Sequence, residues 1–396
     1  MAQAHLVIVG GGLASAKAIQ SYREGGGDDR ITLISADSAI PYHRPPLSKR
    51  YLRGEIEADG TFVAPEEFYR EQDVELRLET HVERVDTGGR ALELRGGERV
   101  PYDRLVVATG GTPRRLGVPG EESDKVFRLR TLADSTAIRD AAGLSGRAVV
   151  VGGSFIGSEV TASLRTLGLE VAQVHLGTGI FDLLGAPALS EYLNDVYRSR
   201  GVELVLGDAV AEFSDGVVRT KNGRELEADM AVEGVGVSLN LGLLDGSGVE
   251  IGDGVVVNER YETSVPGIFA AGDIANYPDP IAGRRRRIEH WSNANTSGAR
   301  LGTFLAGGDP GPLPVANFFS EVFGASFRIL GDSVGYEVVA TRGSFADGKA
   351  ASLYAHEAGT LKAALVFGLE DEEEDRVKKL IAERASATDA AEALGF

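Results

Sequence analysis

Hydrophobic residues in this chain come as short solid runs that stop at glycine, rather than as long amphipathic stripes. Leu6, Val7, Ile8 and Val9 form an apolar run of the kind that makes a buried strand. It enters Gly10-Gly11-Gly12-Leu13-Ala14-Ser15, and helix-compatible spacing follows from Ala16 to Arg23. The plan recurs at Ala148 to Val151, then Gly152-Gly153-Ser154-Phe155-Ile156-Gly157, then a helix from Glu159 to Leu167. The segments downstream of the two copies match as well. The first copy has a second apolar strand, Ile31 to Ile34, a hairpin through Gly96-Gly97, and a run from Tyr102 to Gly110 that ends strand into glycine. The second has Glu170 to Leu176, a hairpin through Asn222-Gly223, where both turn positions favour positive φ, and Asp229 to Gly236. The pattern predicts one architecture written twice.

A glycine-rich turn between a buried strand and a helix is the form of a dinucleotide phosphate loop. The first glycine permits the tight turn, the second lets backbone amides approach the pyrophosphate, and the third allows close helix–strand packing, with the phosphates on the helix N-terminus. Ser15 takes the third small position of the first loop and Ser154 the second glycine position of the second. One such loop is weak evidence, whereas two with matching downstream order imply two dinucleotides. The fold class expected is α/β, with two Rossmann-like units. Toward the end of the chain strands are expected near Phe327–Leu330, Tyr336–Ala340 and Leu361–Phe367. A helix follows the acidic run Glu370-Asp371-Glu372-Glu373-Glu374-Asp375, which suits the positive end of a helix dipole.

Composition narrows the chemistry. The 396 residues suffice for two or three domains, and 43% hydrophobic residues provide ample cores. A formal net charge of −18 disfavours nucleic acid and anionic membranes as partners. No apolar run approaches the roughly 20 residues that span a bilayer, and a strand beginning near Leu6 leaves no room for a signal peptide, so a cytoplasmic protein is expected. The chain contains no cysteine, which removes disulfides, thiolate metal sites, catalytic thiols and redox-active cysteine pairs. Any redox chemistry belongs to a bound cofactor, and no metal is expected.

Three further segments complete the picture: Pro41-Tyr42-His43-Arg44-Pro45-Pro46-Leu47-Ser48-Lys49, Val265 to Asp273 ending in Ala271-Gly272-Asp273, and Arg287-Ile288-Glu289-His290-Trp291-Ser292-Asn293-Ala294. Together with the two loops they resemble the two-dinucleotide-fold flavoprotein reductases, in the putidaredoxin reductase-like and apoptosis-inducing-factor-like branch. The resemblance covers nearly the whole chain. It implies an α/β fold of two Rossmann-like dinucleotide-binding domains, an FAD domain from 1 to 115 and 240 to 314 and an NAD(P) domain from 116 to 239, plus a smaller α+β C-terminal domain from 315 to 396.

The resemblance implies that FAD is held by Gly10, Gly12, Ala14, Ser15, Asp37, Arg44, Pro45, Lys49, Val82, Ala108, Thr109, Gly110, Arg130, Gly272, Asp273, Glu289, His290 and Trp291. By the same resemblance, NADH or NADPH is held by Gly152, Gly153, Ser154, Phe155, Ile156, Gly157, Glu159, His175, Gly234 and Gly236. Asp37, a little beyond the second strand, is the candidate acceptor for a ribose hydroxyl. Lys49 and Glu159 are expected beside flavin N5, against the alternative of two exposed helix-start charges. Trp291 is expected near the flavin edge where an iron–sulfur partner docks, against that of an amphipathic packing residue. For Ala108-Thr109-Gly110 the competing reading is a plain strand end, and for Asp273 an N-cap.

Two departures stand out. Where related reductases carry an aromatic-Trp-Ser-Asp-Gln segment, this chain has Phe318-Phe319-Ser320-Glu321-Val322, which leaves the flavin-side contacts there open. Where NAD-preferring members end the second strand of the NAD domain with an acid, it has His175. Imidazole neither accepts ribose hydroxyls nor repels a 2′-phosphate strongly, so use of both NADH and NADPH is expected, with His175→Glu favouring NADH.

The activity implied is an FAD-dependent NAD(P)H:ferredoxin oxidoreductase: hydride transfer from NAD(P)H to FAD, then single electrons to an acidic [2Fe-2S] ferredoxin that feeds an oxygenase. The alternatives are an NADH-sensing flavoprotein with slow turnover and a peroxide-forming oxidase. A monomer or homodimer is expected. The basic run Arg284-Arg285-Arg286-Arg287, a few residues before Trp291, is the candidate docking patch for an acidic carrier.

Overall fold

Solid apolar runs become the central strands of two parallel sheets, because only a strand buried on both faces has use for hydrophobic residues at every position. The computed structural model describes residues 3–356 and 359–393. The chain divides into two compact units: one of Met1–Arg44, Glu57–Thr112 and Val237–Pro314, the other of Pro45–Ile56, Pro113–Gly236 and Val315–Phe396.

In the first unit five parallel strands lie in the order Ile268–Ala270, Arg104–Val107, His5–Val9, Arg30–Ile34, Val74–Arg77. Leu6, Val7, Ile8, Leu33, Leu105 and Val106 are fully buried in it. The strand order reverses direction at His5–Val9, so the crevice outside its carboxyl end, where the first glycine loop sits, is the place such sheets bind ligands. The loop's helix, Leu13–Glu24, packs on the helix Trp291–Leu305 at backbone distance. A methyl group on Gly298 or Gly302 would run into the carbonyls of Ala14 and Ala18. A three-stranded antiparallel sheet of Val82–Asp86, Ala91–Leu94 and Arg99–Pro101 carries the Gly96-Gly97 turn.

The second unit repeats the theme in the order Glu203–Leu206, Glu170–His175, Arg147–Val151, Met230–Glu233, Val126–Arg128, again all parallel. Its loop helix begins at Phe155 and runs to Thr166, four residues earlier than the apolar spacing predicts, because Gly157 inside the loop already lies in the first turn. The Asn222-Gly223 hairpin differs from expectation. Only Gly223 has positive φ (84°), Gly223 N–H donates to the Thr220 carbonyl, and Thr220 N–H donates to that of Arg224. That is a three-residue loop closed by a left-handed glycine rather than a two-residue turn.

Residues 315 onward form a five-stranded antiparallel sheet, ordered Asn317–Val322, Ala325–Gly331, Leu361–Phe367, Lys349–Ala355, Glu337–Ser344, followed by helices Asp371–Ala382 and Ala387–Ala393. Two strands escaped the pattern, Asn317–Val322 and Lys349–Ala355. The latter reads Lys-Ala-Ala-Ser-Leu-Tyr-Ala, alanine-rich and of low strand propensity, and it is held as a strand by neighbours on both sides. The acidic run does open a helix: Glu370 and Glu373 form a capping box. The fold is α/β with two Rossmann-like sheets and an α+β C-terminal part.

Candidate active site

The two glycine loops share their backbone constraints. Gly10 and Gly152 both have φ of +117°, a conformation that disfavours every residue with a side chain. A methyl group on Gly10 would meet the Ala108 carbonyl, and one on Gly152 the Gly234 carbonyl. Gly11 faces Ser35 just past the second strand, as Gly153 faces the ring of His175. At the third small position Gly157 abuts the Gly152 carbonyl, whereas Ser15 turns its hydroxyl to donate to the Gly10 carbonyl at 2.5 Å. Neither helix following the loops has a side-chain N-cap, although the helix Leu132–Ala142 has a Thr131–Asp134 capping box and Trp291–Leu305 is capped by His290. First turns without a side-chain cap, beside glycines too crowded for a side chain, fit a bound pyrophosphate. Arg44 adds a cation: its guanidinium is 3.4 Å from where a Gly12 Cβ would stand and lies over the Tyr42 ring.

Around the first loop, Asp37 is half-buried and engaged on both oxygens, accepting from Tyr42 Oη at 2.6 Å and from the Ala39 amide at 3.2 Å. Val82 is a partly buried residue packed on the core. Thr109 and Gly110 do more than end a strand: Thr109 Oγ1 donates to the Asn240 carbonyl (2.7 Å), and the Asn240 backbone amide donates to the Gly110 carbonyl (2.9 Å). The Gly272 amide donates to Ser297 Oγ (2.9 Å), and the Asp273 carbonyl accepts from Arg287 (3.1 Å). Glu289 is ion-paired with Arg287, and the His290 ring accepts from the Ser292 amide.

Trp291, the chain's one tryptophan, donates its indole N–H to Nδ1 of His43 at 3.0 Å. Burial, and secondarily the charge of Lys17, hold the His43 imidazole below its usual value of 6.5. Neutral His43 can accept this bond, whereas imidazolium carries hydrogen on both nitrogens and cannot. Because the folded-state value is depressed, this group's contribution to stability is complete above pH 6.5 and is lost as pH falls through the folded-state value. Trp291 emission should therefore change with a midpoint below pH 6.5, and the transition should vanish in His43→Phe. A midpoint at or above 6.5 contradicts the assignment.

In the second unit the structure brings Lys49 and Glu159 together from positions 110 residues apart. Lys49 follows the turn Pro45–Ser48, and Glu159 lies one turn into the helix Phe155–Thr166. The Lys49 ammonium is 2.6 Å from Glu159 Oε2, with side chains only 14% and 6% exposed. Ser48 Oγ donates to Oε2 (2.5 Å) and Ser320 Oγ to Oε1 (2.7 Å). Each carboxylate oxygen thus has a donor, the condition under which a buried ion pair is tolerable. These are not two exposed helix-start charges. Ser163 and Ser135 anchor the turn by donating to the carbonyls of Ser48 (2.6 Å) and Leu47 (2.7 Å).

Phe155 packs edge-on against Phe181 and Phe318, Ile156 is partly exposed, and the Gly236 carbonyl accepts from the Arg114 amide (2.9 Å). Arg130 precedes the helix Leu132–Ala142, its amide donating to Asp134 (3.0 Å). His175 Nε2 lies 3.0 Å from Oδ1 of Asp182.

Sequence reasoning missed Ser48, Ser320, Asn240 and Asp182. Ser48 stood in the motif already read. Ser320 lies 161 residues from the carboxylate it serves, so nothing local announces it. The basic run needs correcting. Arg284–Arg286 is a strand whose alternation buries Arg286 against Asp279 at 2.6 Å, and Arg287 pairs with Asp253 and Glu289. Arg286 and Arg287 are thus engaged by carboxylates, and Arg284 and Arg285 are the exposed members of the run.

Comparison with known proteins shows the family. Residues 4–298 match the family model described as pyridine nucleotide-disulphide oxidoreductase. The chain is 32% identical over 352 residues to putidaredoxin reductase CamA of Pseudomonas putida, covering 86% of this chain and 83% of the relative. It is 34% identical over 330 residues to the ferredoxin–NAD(+) reductase component of the p-cumate 2,3-dioxygenase system of the same organism, covering 83% and 81%. Among solved structures, the covalent putidaredoxin reductase–putidaredoxin complex matches with a TM-score of 0.92 at 30% identity, over 97% of this chain and 94% of that one. The protein belongs to the pyridine nucleotide-disulphide oxidoreductase family and is a flavoprotein oxidoreductase. Membership implies FAD and a nicotinamide dinucleotide as its redox groups. The disulphide of the family's description has no counterpart here, since the chain has no cysteine. Among the described residues no helix is long and apolar enough to cross a membrane.

Proposed function

We propose that this chain is an NAD(P)H-dependent reductase that passes electrons through FAD to a ferredoxin-type [2Fe-2S] carrier serving an oxygenase. The observation that carries the reading is the pair of glycine loops with matching backbone constraints and uncapped helices, in a chain that has no thiol of its own. Residues 1–115 and 240–314 are the FAD-binding domain, 116–239 the NAD(P)-binding domain and 315–396 the C-terminal domain. When bound, FAD supplies the conversion of a two-electron donation into single-electron release.

The protein's own residues position and compensate. Arg44 and the first-loop amides hold the FAD pyrophosphate, and the second loop holds that of NAD(P)H. Lys49 carries the positive charge beside flavin N5, held in place by Glu159, Ser48 and Ser320. The exposed Arg284 and Arg285 contribute to the surface that receives an acidic carrier, which a reductase of net charge −18 would otherwise repel. The similarity to reductases named for ferredoxin and putidaredoxin partners supports a protein acceptor.

Purified protein should be yellow, with FAD that is released on denaturation. NADH oxidation should accelerate by at least an order of magnitude when a [2Fe-2S] ferredoxin is added, with little oxygen consumed in its absence. Colourless folded protein that gains no flavin absorbance with added FAD would end the reading. Rapid peroxide formation without a carrier would favour an oxidase instead.

A further inference from the structure

We propose that Asp182, steered by His175, reads the adenosine ribose of the nicotinamide coenzyme and selects a free 2′-hydroxyl over a 2′-phosphate. The inference rests on the reading that the second glycine loop holds this coenzyme, and it reverses the weak selectivity expected from His175 alone.

His175 ends the strand Glu170–His175, and its ring packs over Gly153 of the loop. That is the position from which a Rossmann fold reaches the ribose. The carboxylate absent from position 175 returns seven residues later: Asp182 Oδ1 lies 3.0 Å from His175 Nε2, and Oδ2 accepts the Thr178 amide at 2.9 Å. An ionised carboxylate only accepts, so Nε2 carries the hydrogen and a neutral imidazole suffices to hold the pair. Gly177 leaves room for it, because a methyl group there would strike both Asp182 and His175. The Asp182 side chain remains 29% exposed. A carboxylate has about four lone-pair sites, so beyond the His175 and Thr178 donors it keeps accepting capacity for ribose hydroxyls.

Charge and apolar surface point the same way. No lysine or arginine occurs between Arg165 and Arg198, so this segment offers a 2′-phosphate no permanent positive charge beside the Asp182 carboxylate. Leu176 and Leu183, each directly following a member of the pair, are 74% and 58% exposed. Isolated exposed leucines are ordinary, and these two acquire a use only where the adenine of the coenzyme lies along them.

The test uses redox-inert fragments on flavin-loaded protein: calorimetric titration with ADP-ribose and with 2′-phospho-ADP-ribose, beside kcat and KM for NADH and NADPH with ferricyanide as acceptor. Losing one charged hydrogen bond corresponds to about 10–100-fold in binding. The parent should bind ADP-ribose tighter than its 2′-phosphate by at least about that lower figure. Asp182→Asn should bring the ratio toward one, raising KM for NADH while leaving kcat near the parent value, and Asp182→Glu should retain the preference. His175→Ala should weaken ADP-ribose binding, because the carboxylate loses its tether. Equal binding of both fragments by the parent, or an unchanged ratio in Asp182→Asn, overturns the role of Asp182 and leaves the coenzyme site intact. Failure of the parent to bind either fragment overturns the second-loop reading and this inference with it.

Discussion

Replacing Lys49 with Met is expected to slow reduction by NAD(P)H about 100-fold while FAD stays bound, the scale seen when one preorganised charge or donor is lost from a reacting centre. The expectation follows from the burial of its partner. Glu159 is 6% exposed, and without the ammonium at 2.6 Å it keeps the hydroxyl donors of Ser48 and Ser320 but loses its partner charge. A carboxylate so placed disfavours further negative charge nearby. Removing one partner of a buried pair also costs roughly 3–5 kcal/mol, so the melting temperature should fall. Lys49→Arg retains the charge and should retain most of the rate. If the loss is electrostatic, adding Glu159→Gln to Lys49→Met should recover part of it, giving a coupling of about 0.5–3 kcal/mol in a double-mutant cycle. Stopped-flow reduction of Lys49→Met as fast as the parent would show that the pair sits away from the reacting centre.

Equally large and opposite in kind are the effects expected of Gly10→Ala and Gly152→Ala. Both residues sit at φ of +117°, and in both a methyl group collides with a backbone carbonyl, that of Ala108 or of Gly234. Neither carbonyl belongs to a flexible side chain, so the backbone must move, at a cost of several kcal/mol. Gly10→Ala should yield protein with little or no flavin. Gly152→Ala should keep its flavin colour and lose reduction by NAD(P)H, while a chemical reductant such as dithionite still bleaches it. Loss of flavin from Gly152→Ala with its retention in Gly10→Ala would exchange the assignments of the two loops.

The glycine loops lie open in the sequence, whereas the donors around the buried ion pair do not. The duplication was legible because phosphate loops are local: Gly10 to Ser15 and Gly152 to Gly157 each lie within six consecutive residues, bounded by an apolar run and a helical one. The same locality made the helix start at Glu370–Glu373 and the parallel central strands readable. The strand Lys349–Ala355 was not, because its conformation is imposed by pairing on both sides rather than by its alanines. The basic run misled for a related reason. Four consecutive arginines look like one patch, yet a strand sends successive side chains to opposite faces, and Arg286 meets Asp279 inside.

Local chemistry in the chain therefore settles that there are two glycine loops, that the chain supplies no thiol, and which short segments carry the candidate groups. Tertiary structure decides which of those groups are charged partners and which are spent. Ser320 reaches Glu159 across 161 residues, and Asp182 returns to His175 what its own strand end lacks. The physical reason is that strand-to-helix turns are governed by steric limits on adjacent residues, whereas a buried charge is tolerable only through donors that folding delivers from distant parts of the chain.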